Sequence, residues 1–271
     1  MNTIDLLPIN NTEIAQEKLD IDEKNRSNLF QWNGQFSPQF IEALLAQYAK
    51  PTFHVLDPFM GSGTVLYECA RFGLQASGAD VNPAALKIST VYELCLIAKE
   101  ERKTILHSLE ELLKAFLPLL LPLFSSNHHV SRSYADTLTE LLALAKKFPV
   151  KHPERIVLDA FVVLIDTKKC HDSASAIPDT WRKFAEILLS LPSTHHQIRG
   201  FNSDCRQLPL DDNVVDLVIT SPPYINVFNY HQQYRKNTER LGWDILEVAK
   251  SEIGSNRNIG VIVFLLRFNT A

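Results

Sequence analysis

Short apolar runs alternate along this chain with stretches of helical spacing, and two of the runs end in loops of unusual composition. Val214-Val215-Asp216-Leu217-Val218-Ile219 is rich in β-branched residues and reads as a buried strand. Thr52-Phe53-His54-Val55-Leu56 reads as another, and Leu74-Gln75-Ala76-Ser77-Gly78-Ala79 as a third that ends at Asp80. A further strand is expected across Gln197-Ile198-Arg199-Gly200-Phe201-Asn202. Helical spacing follows the glycine-rich stretch at Val65 to Arg71, and precedes it at Phe40, Ile41, Leu44, Leu45 and Tyr48. Strands interleaved with helices predict an α/β fold built on a doubly wound, Rossmann-like sheet.

From Ala84 to about Ser193 the pattern is almost wholly helical. Ile105, Leu109, Leu112, Leu113 and Phe116 share one face, as do Leu138, Leu141, Leu142 and Leu144. The very apolar stretch from Ile156 to Leu164 fits a buried helix or a strand. The block is far longer than one strand–helix unit requires, so it reads as a helical insertion that either recognises a target or supports the sheet. The expected layout is a loose polar arm over 1–25, a core formed by 26–87 with 194–271, and the insertion over 88–193.

The two special loops carry the chemistry. Thr220-Ser221-Pro222-Pro223-Tyr224 follows the Val214 strand, and its prolines stop that strand because neither donates a backbone hydrogen bond. Residues before proline are held extended. The Ser221 hydroxyl and neighbouring carbonyls can then form an acceptor array for an exocyclic amino group, and Tyr224 offers a face for a planar base. Taken alone, the same residues also make a plain proline turn.

Asp57-Pro58-Phe59-Met60-Gly61-Ser62-Gly63-Thr64 stands between a strand and a helix, the arrangement of a cofactor loop. It has no Gly-Lys-Ser/Thr and is not spaced Gly-x-Gly-x-x-Gly, and Asp57 suits a cationic ligand better than a pyrophosphate. Asp80 lies about 20 residues past the loop, where an acid commonly holds ribose hydroxyls. A lone acid there also serves as a helix cap. Asn82-Pro83 opens the next helix as cap and first turn.

Together these residues resemble the DNA amino-methyltransferases, which move a methyl group from S-adenosyl-L-methionine to an exocyclic amino nitrogen. Asp57 to Thr64 matches their cofactor loop and Ser221 to Tyr224 their catalytic loop. The resemblance covers roughly the N-terminal third and the segment from about Gly200 to Arg257. It implies cofactor contacts at Asp57, Pro58, Phe59, Gly61, Gly63, Thr64 and Asp80, and at Asp204 for the adenine. Phe36 and Ser37 are candidates for the methionine end, with an ordinary packing helix as the equal alternative. It assigns catalysis to Ser221, Pro222, Pro223 and Tyr224, and Ser-Pro-Pro-Tyr is the form typical of cytosine-N4 enzymes. The implied partner is double-stranded DNA, within a restriction–modification system that pairs the enzyme with an endonuclease.

Several rivals stay in view. Adenine-N6 transfer belongs to the same family, and an RNA guanine-N2 enzyme shares the glycine loop but more often carries Asp-Pro-Pro-Tyr. A protein that binds cofactor or DNA without transfer is the alternative of another class. A Pro-Cys nucleophile for attack on cytosine C5 is absent from the sequence.

Composition narrows the setting. The net charge of −4 is not that of a strong non-specific DNA binder. The 4 cysteines form no Cys-x-x-Cys pair, which argues against zinc and fits a reducing cytoplasm. The histidines at 128, 129, 195 and 196 make no ligand set, so no metal is expected. No signal peptide is legible, and the apolar run from Phe116 to Phe124 is too short to span a bilayer, so no membrane partner is expected. Asn226 to His231 suits contact with an extruded base or with the DNA backbone, and Arg235, Lys236 and Arg240 lie on an expected helix within reach of phosphates or as plain surface charge.

The resemblance also implies further strands and helices beyond the catalytic strand, so the sheet is expected to be incomplete at the C-terminus, with about the last third of a typical member absent. The run Ile259 to Leu266 reads as one more strand. The alternative is a frameshift: one codon string for Asn258 to Phe264, read from its third base, gives Tyr-Arg-Gly-Asn-Arg-Phe. A frameshifted chain would be an inactive fragment.

Overall fold

The computed structural model describes residues 12–19, 26–115, 117, 133–223 and 229–250. Several of the sequence expectations concern residues outside that set: most of the 1–25 arm, all of the 116–124 run except Leu117, the histidines at 128 and 129, the stretch 224–228 with Tyr224, and everything after residue 250, including the run at 259–266.

Among the described residues, four parallel strands form one sheet: β1 (His54–Asp57), β2 (Gln75–Asp80), β3 (Ile198–Asn202) and β4 (Leu217–Val218). Their order is β3-β2-β1-β4. The chain therefore works outward from β1 to β3, then returns to the other side of β1. Where strand order reverses, the loops at the carboxyl ends part and leave a crevice. All of β1 is buried, including the polar residues His54 and Asp57 at its two ends.

The expected strand over 214–219 is shorter than its sequence suggests. Its first residues meet His54. Asp216 Oδ2 accepts the His54 N–H at 2.8 Å, and the Val214 carbonyl meets His54 Nδ1 at 2.9 Å. Val214 and Asp216 are tied to this histidine, Asp216 also through its own N–H to the His54 carbonyl at 3.0 Å, and regular pairing covers Leu217–Val218, with the Ile219 N–H to the Leu56 carbonyl closing it.

Helix α1 (Gln16–Leu19) and α2 (Pro38–Tyr48) precede the sheet, and α3 (Thr64–Phe72) joins β1 to β2. Ser37 caps α2 through the Phe40 N–H, with Pro38 in the first turn. After β2, Asn82 caps α4 (Pro83–Ser89), and a 3-10 turn follows over Thr90–Leu96. Among the described residues, five helices then fill the crossover to β3: α5 (Lys99–Leu113), α6 (Tyr134–Ala145), α7 (Pro153–Leu164), α8 (Lys168–Asp172) and α9 (Ala176–Ser190). The apolar stretch that fits either helix or strand is thus helix α7, apolar nearly all round because it is buried from Val157 to Val163.

This helical block shares one core with the sheet. Phe161, Trp181 and Phe184 pack at its centre, and Phe184 reaches Phe30 at 6.0 Å, which meets Tyr92 at 5.9 Å. The buried Arg102 guanidinium donates to the carbonyls of Leu94, Leu191 and Pro192, tying the entrance of the block to its exit. After β4 come α10 (Arg235–Arg240) and α11 (Ile245–Ala249). The buried Asn237 docks α10 on the block: its side chain donates to the Val162 carbonyl at 2.6 Å and accepts from the Tyr134 hydroxyl at 2.9 Å. No helix among the described residues is long and apolar enough to cross a membrane.

Candidate functional site

The carboxyl ends of β1, β2 and β4 and the coil after β3 converge on one cleft. Its floor is the glycine loop. The Met60 N–H bonds back to the Ala79 carbonyl at 3.0 Å, and the Gly63 N–H to the Met60 carbonyl at 2.7 Å, so the chain turns tightly between β1 and α3. Gly61 and Gly63 have φ of +48° and +82°. A side chain is blocked twice there: by conformation, and by Trp32 and Tyr92, whose ring atoms lie 2.7 Å from where each Cβ would stand.

A strap from Asn28 to Ser37 braces this loop. Ser62 Oγ donates to Gln35 Oε1 at 2.8 Å, and Thr64 Oγ1 donates to Asn28 Oδ1 at the same distance. The Asn28 amide in turn donates to the Phe36 carbonyl. Behind the strap, Glu68 is fully buried between Arg26 and Arg71. From the other side, Gln233 bonds both the Asn33 N–H and the Gln31 carbonyl, and Tyr234 stacks on Trp32 at 6.5 Å.

Three carboxylates face the cleft. Asp57 ends β1, and burial pushes its carboxyl up to about 7 against hydrogen bonds from Thr220 and Phe59. Asp80 ends β2; its Oδ2 accepts the Gly61 N–H at 3.0 Å and its Oδ1 the Asn82 N–H at 2.8 Å. Asp204 follows β3, and hydrogen bonds from Arg206 hold its carboxyl below the usual range. Around them stand Trp32, Phe36, Phe59, Met60 and Val81, with Asn33, Gln35, Asn82 and Ser203 as polar groups. The cleft is open to solvent at its mouth and encloses about 80 Å³ of space.

The sequence candidates divide clearly. Phe36, Asp57, Pro58, Phe59, Thr64, Asp80, Asp204, Ser221 and Pro223 line the cleft. Gly61 and Gly63 shape its floor without being among the lining residues, and Pro222 is exposed beside it. Ser37 is spent on capping α2. Sequence reasoning missed Trp32, Gln35 and Cys205 as lining residues, read Asn82 only as a cap, and read Tyr230 as a contact for the base or the DNA rather than as part of this cleft. Asn82 does cap α4, and its amide also donates to the Tyr230 carbonyl at 3.1 Å. The Asn33-Gly34 turn beside Trp32 is the signal that marks the strap.

No Lys, Arg or His is among the described lining residues. Arg206 is paired to Asp204 just behind the lining, and an acidic, partly aromatic cleft of this kind suits a ligand with positive charge, hydroxyl groups and a flat ring.

Comparison with known proteins points the same way. Residues 12–91 match the N6_N4_Mtase family model, DNA methylase. The chain is 25% identical over 269 residues to the Type II methyltransferase M.AvaI of Nostoc sp., covering 79% of this chain and 53% of that one. It is 28% identical over 138 residues to the Type II methyltransferase M.MjaII of Methanocaldococcus jannaschii, covering 49% and 23%. Over 56 residues it is 46% identical to the Type II methyltransferase M.MvaI of Kocuria varians, covering 20% and 12%. The chain thus spans about half the length of the first of these relatives. No solved structure matches. These likenesses support kinship with DNA methyltransferases of the N4/N6 class.

Proposed function

We propose that this chain carries the cofactor cleft and base-holding loop of an S-adenosyl-L-methionine-dependent DNA amino-methyltransferase acting on cytosine N4. The observation that carries the reading is the meeting of the two loops. Asp57 of the glycine loop and Ser221 of the proline loop line one cleft, and Thr220 bonds Asp57 directly.

The residues present fit the cofactor. Asp57 suits its positive charge, Asp80 its ribose hydroxyls and Asp204 its adenine amino group. Phe36 and Phe59 offer apolar faces, and Ser37 fixes the start of α2 beside Phe36. When bound, S-adenosyl-L-methionine supplies an electrophilic methyl group on a cationic sulfur.

The chain's own task is positioning. A base amino nitrogen is a poor nucleophile because its lone pair is delocalised into the ring. Acceptors at the Ser221 hydroxyl and the Pro222 carbonyl hold its hydrogens and turn the lone pair toward the methyl, while Tyr224 stacks on the extruded base. The serine at the head of Ser221-Pro222-Pro223 favours cytosine N4 over adenine N6. In this reading the sheet is of the doubly wound type, and the helical block supports the residues after the catalytic loop through Asn237. Double-stranded DNA is the substrate, in the cytoplasm, within a restriction–modification pair.

The test is incubation with labelled S-adenosyl-L-methionine and mixed-sequence duplex DNA, then digestion and identification of the labelled nucleoside. N4-methylcytosine is expected. N6-methyladenine corrects the base and keeps the class. A folded protein that binds cofactor and yields no labelled nucleoside supports the reading as a binding protein without transfer.

A further inference from the structure

The last backbone bond that holds β4 to β1 is the Ile219 N–H to the Leu56 carbonyl. Beyond it the chain enters Ser221-Pro222-Pro223, where two successive residues lack an N–H. The one described side-chain link at this exit is the Thr220 hydroxyl, which donates to Asp57 Oδ1 at 2.7 Å. Asp57 Oδ1 also accepts the Phe59 N–H at 3.1 Å, so both bonds fall on one oxygen. The same carboxyl lines the cleft and is only 3% exposed.

We propose that Thr220 is a positioning residue that transmits occupancy of the cofactor cleft to the Ser221-Pro222-Pro223 loop through Asp57. The inference rests on the proposed function and adds a coupling to it. A hydroxyl bonds an ionised carboxylate more strongly than a neutral one. A cation in the cleft favours the ionised form of Asp57, and the tightened bond from Thr220 then fixes the point from which the proline loop departs. The other titratable groups that act on Asp57 are Asp80 at the end of β2 and Cys69 on α3. Asp80 opposes its ionisation, and the Cys69 thiol is pushed far up by burial and stays neutral. Burial holds Asp57 protonated to about pH 7, so the coupling operates in the neutral range.

The test is calorimetric titration with S-adenosyl-L-methionine from pH 5.5 to 9 (roughly the neutral range either side of the Asp57 transition). Wild type is compared with Thr220→Val and Thr220→Ser, and single-turnover methyl transfer is measured at saturating cofactor. In wild type, cofactor affinity rises with pH as Asp57 ionises. Thr220→Val removes a bond that favours ionisation, so the midpoint of that rise moves up by about one pH unit. Thr220→Ser keeps the hydroxyl and restores the midpoint. At high pH the Val variant binds cofactor as wild type does, yet transfers methyl about tenfold more slowly. Thr220→Ala serves if the Val variant does not fold.

A Thr220→Val or Thr220→Ala profile that superimposes on wild type overturns the inference and leaves the proposed function standing. A folded wild type that binds no cofactor at any pH overturns both.

Discussion

Asp80 Oδ2 accepts the Gly61 N–H at 3.0 Å, so the acid that ends β2 clamps the glycine loop at a residue 19 positions earlier in the chain. The same carboxylate holds Asn82, which caps α4. One side chain thus sets the cleft floor and its wall together. Asp80→Ala is expected to weaken S-adenosyl-L-methionine binding by about tenfold to a hundredfold, the worth of a hydrogen bond to a charged group. Asp80→Asn keeps one acceptor and should lose less. Calorimetric Kd values for the two variants check the order.

The glycine positions make a sharper demand. A methyl group at Gly61 meets Trp32, and at Gly63 it meets Tyr92, both on a backbone with positive φ. Gly61→Ala and Gly63→Ala should each cost about 1–3 kcal/mol in stability and reduce cofactor affinity further, because the cleft floor must shift. Gly242 also has positive φ, at +99°, but a Cβ there meets nothing within 4 Å. Gly242→Ala should therefore lose stability and leave cofactor affinity unchanged. Urea denaturation with a parallel binding titration separates the two effects.

Glu68 tests the brace behind the strap. Its carboxylate is fully buried, and Arg26 bonds both of its oxygens at 2.7 and 3.2 Å. Desolvation works against the charge of Arg26, yet Glu68 and Glu42 hold its pKa above the ordinary value. Removing Glu68 leaves Arg26 and Arg71, both partly exposed, with Glu42 as their remaining partner, so Glu68→Ala should destabilise the fold by about 1–3 kcal/mol. A loss within experimental error of zero would show that the strap does not depend on this pair.

Asp57 predicts a pH dependence of stability with a definite sign. Its carboxyl is raised from 3.8 to about 7 in the folded state. Between those values the folded protein holds a proton that the unfolded chain has released. Its contribution is therefore fully present at low pH and lost as pH rises through that window, by on the order of 4 kcal/mol. Asp57→Asn lacks the titration. The stability of wild type minus that of the variant should fall from pH 4 to pH 7 and stay level above it.

Much of this arrangement is legible in residue patterns, because short-range rules govern it. The strand before Asp57, the turn through Gly61 and Gly63, and the caps at Ser37 and Asn82 all lie where local chemistry puts them. The parts that stay hidden depend on partners far along the chain. His54 ties the residues before β4 from 160 and 162 positions away, and no propensity at Val214 reports that. Gln233 reaches Asn33 across 200 residues, so the strap's role at the cleft is not visible in its own composition. The stretch from Ile156 to Leu164 is ambiguous by itself, since burial on every side erases the helical period that would identify it.

The central claim is that the acidic cleft holds a cationic nucleoside cofactor. Its most direct test is a calorimetric titration of the folded chain with S-adenosyl-L-methionine, repeated on Asp57→Asn. The account predicts one cofactor per chain, with affinity that rises with pH through about 7 in wild type and stays flat in the variant. A folded wild type that takes up no cofactor, or binding that Asp57→Asn leaves unchanged, would contradict it.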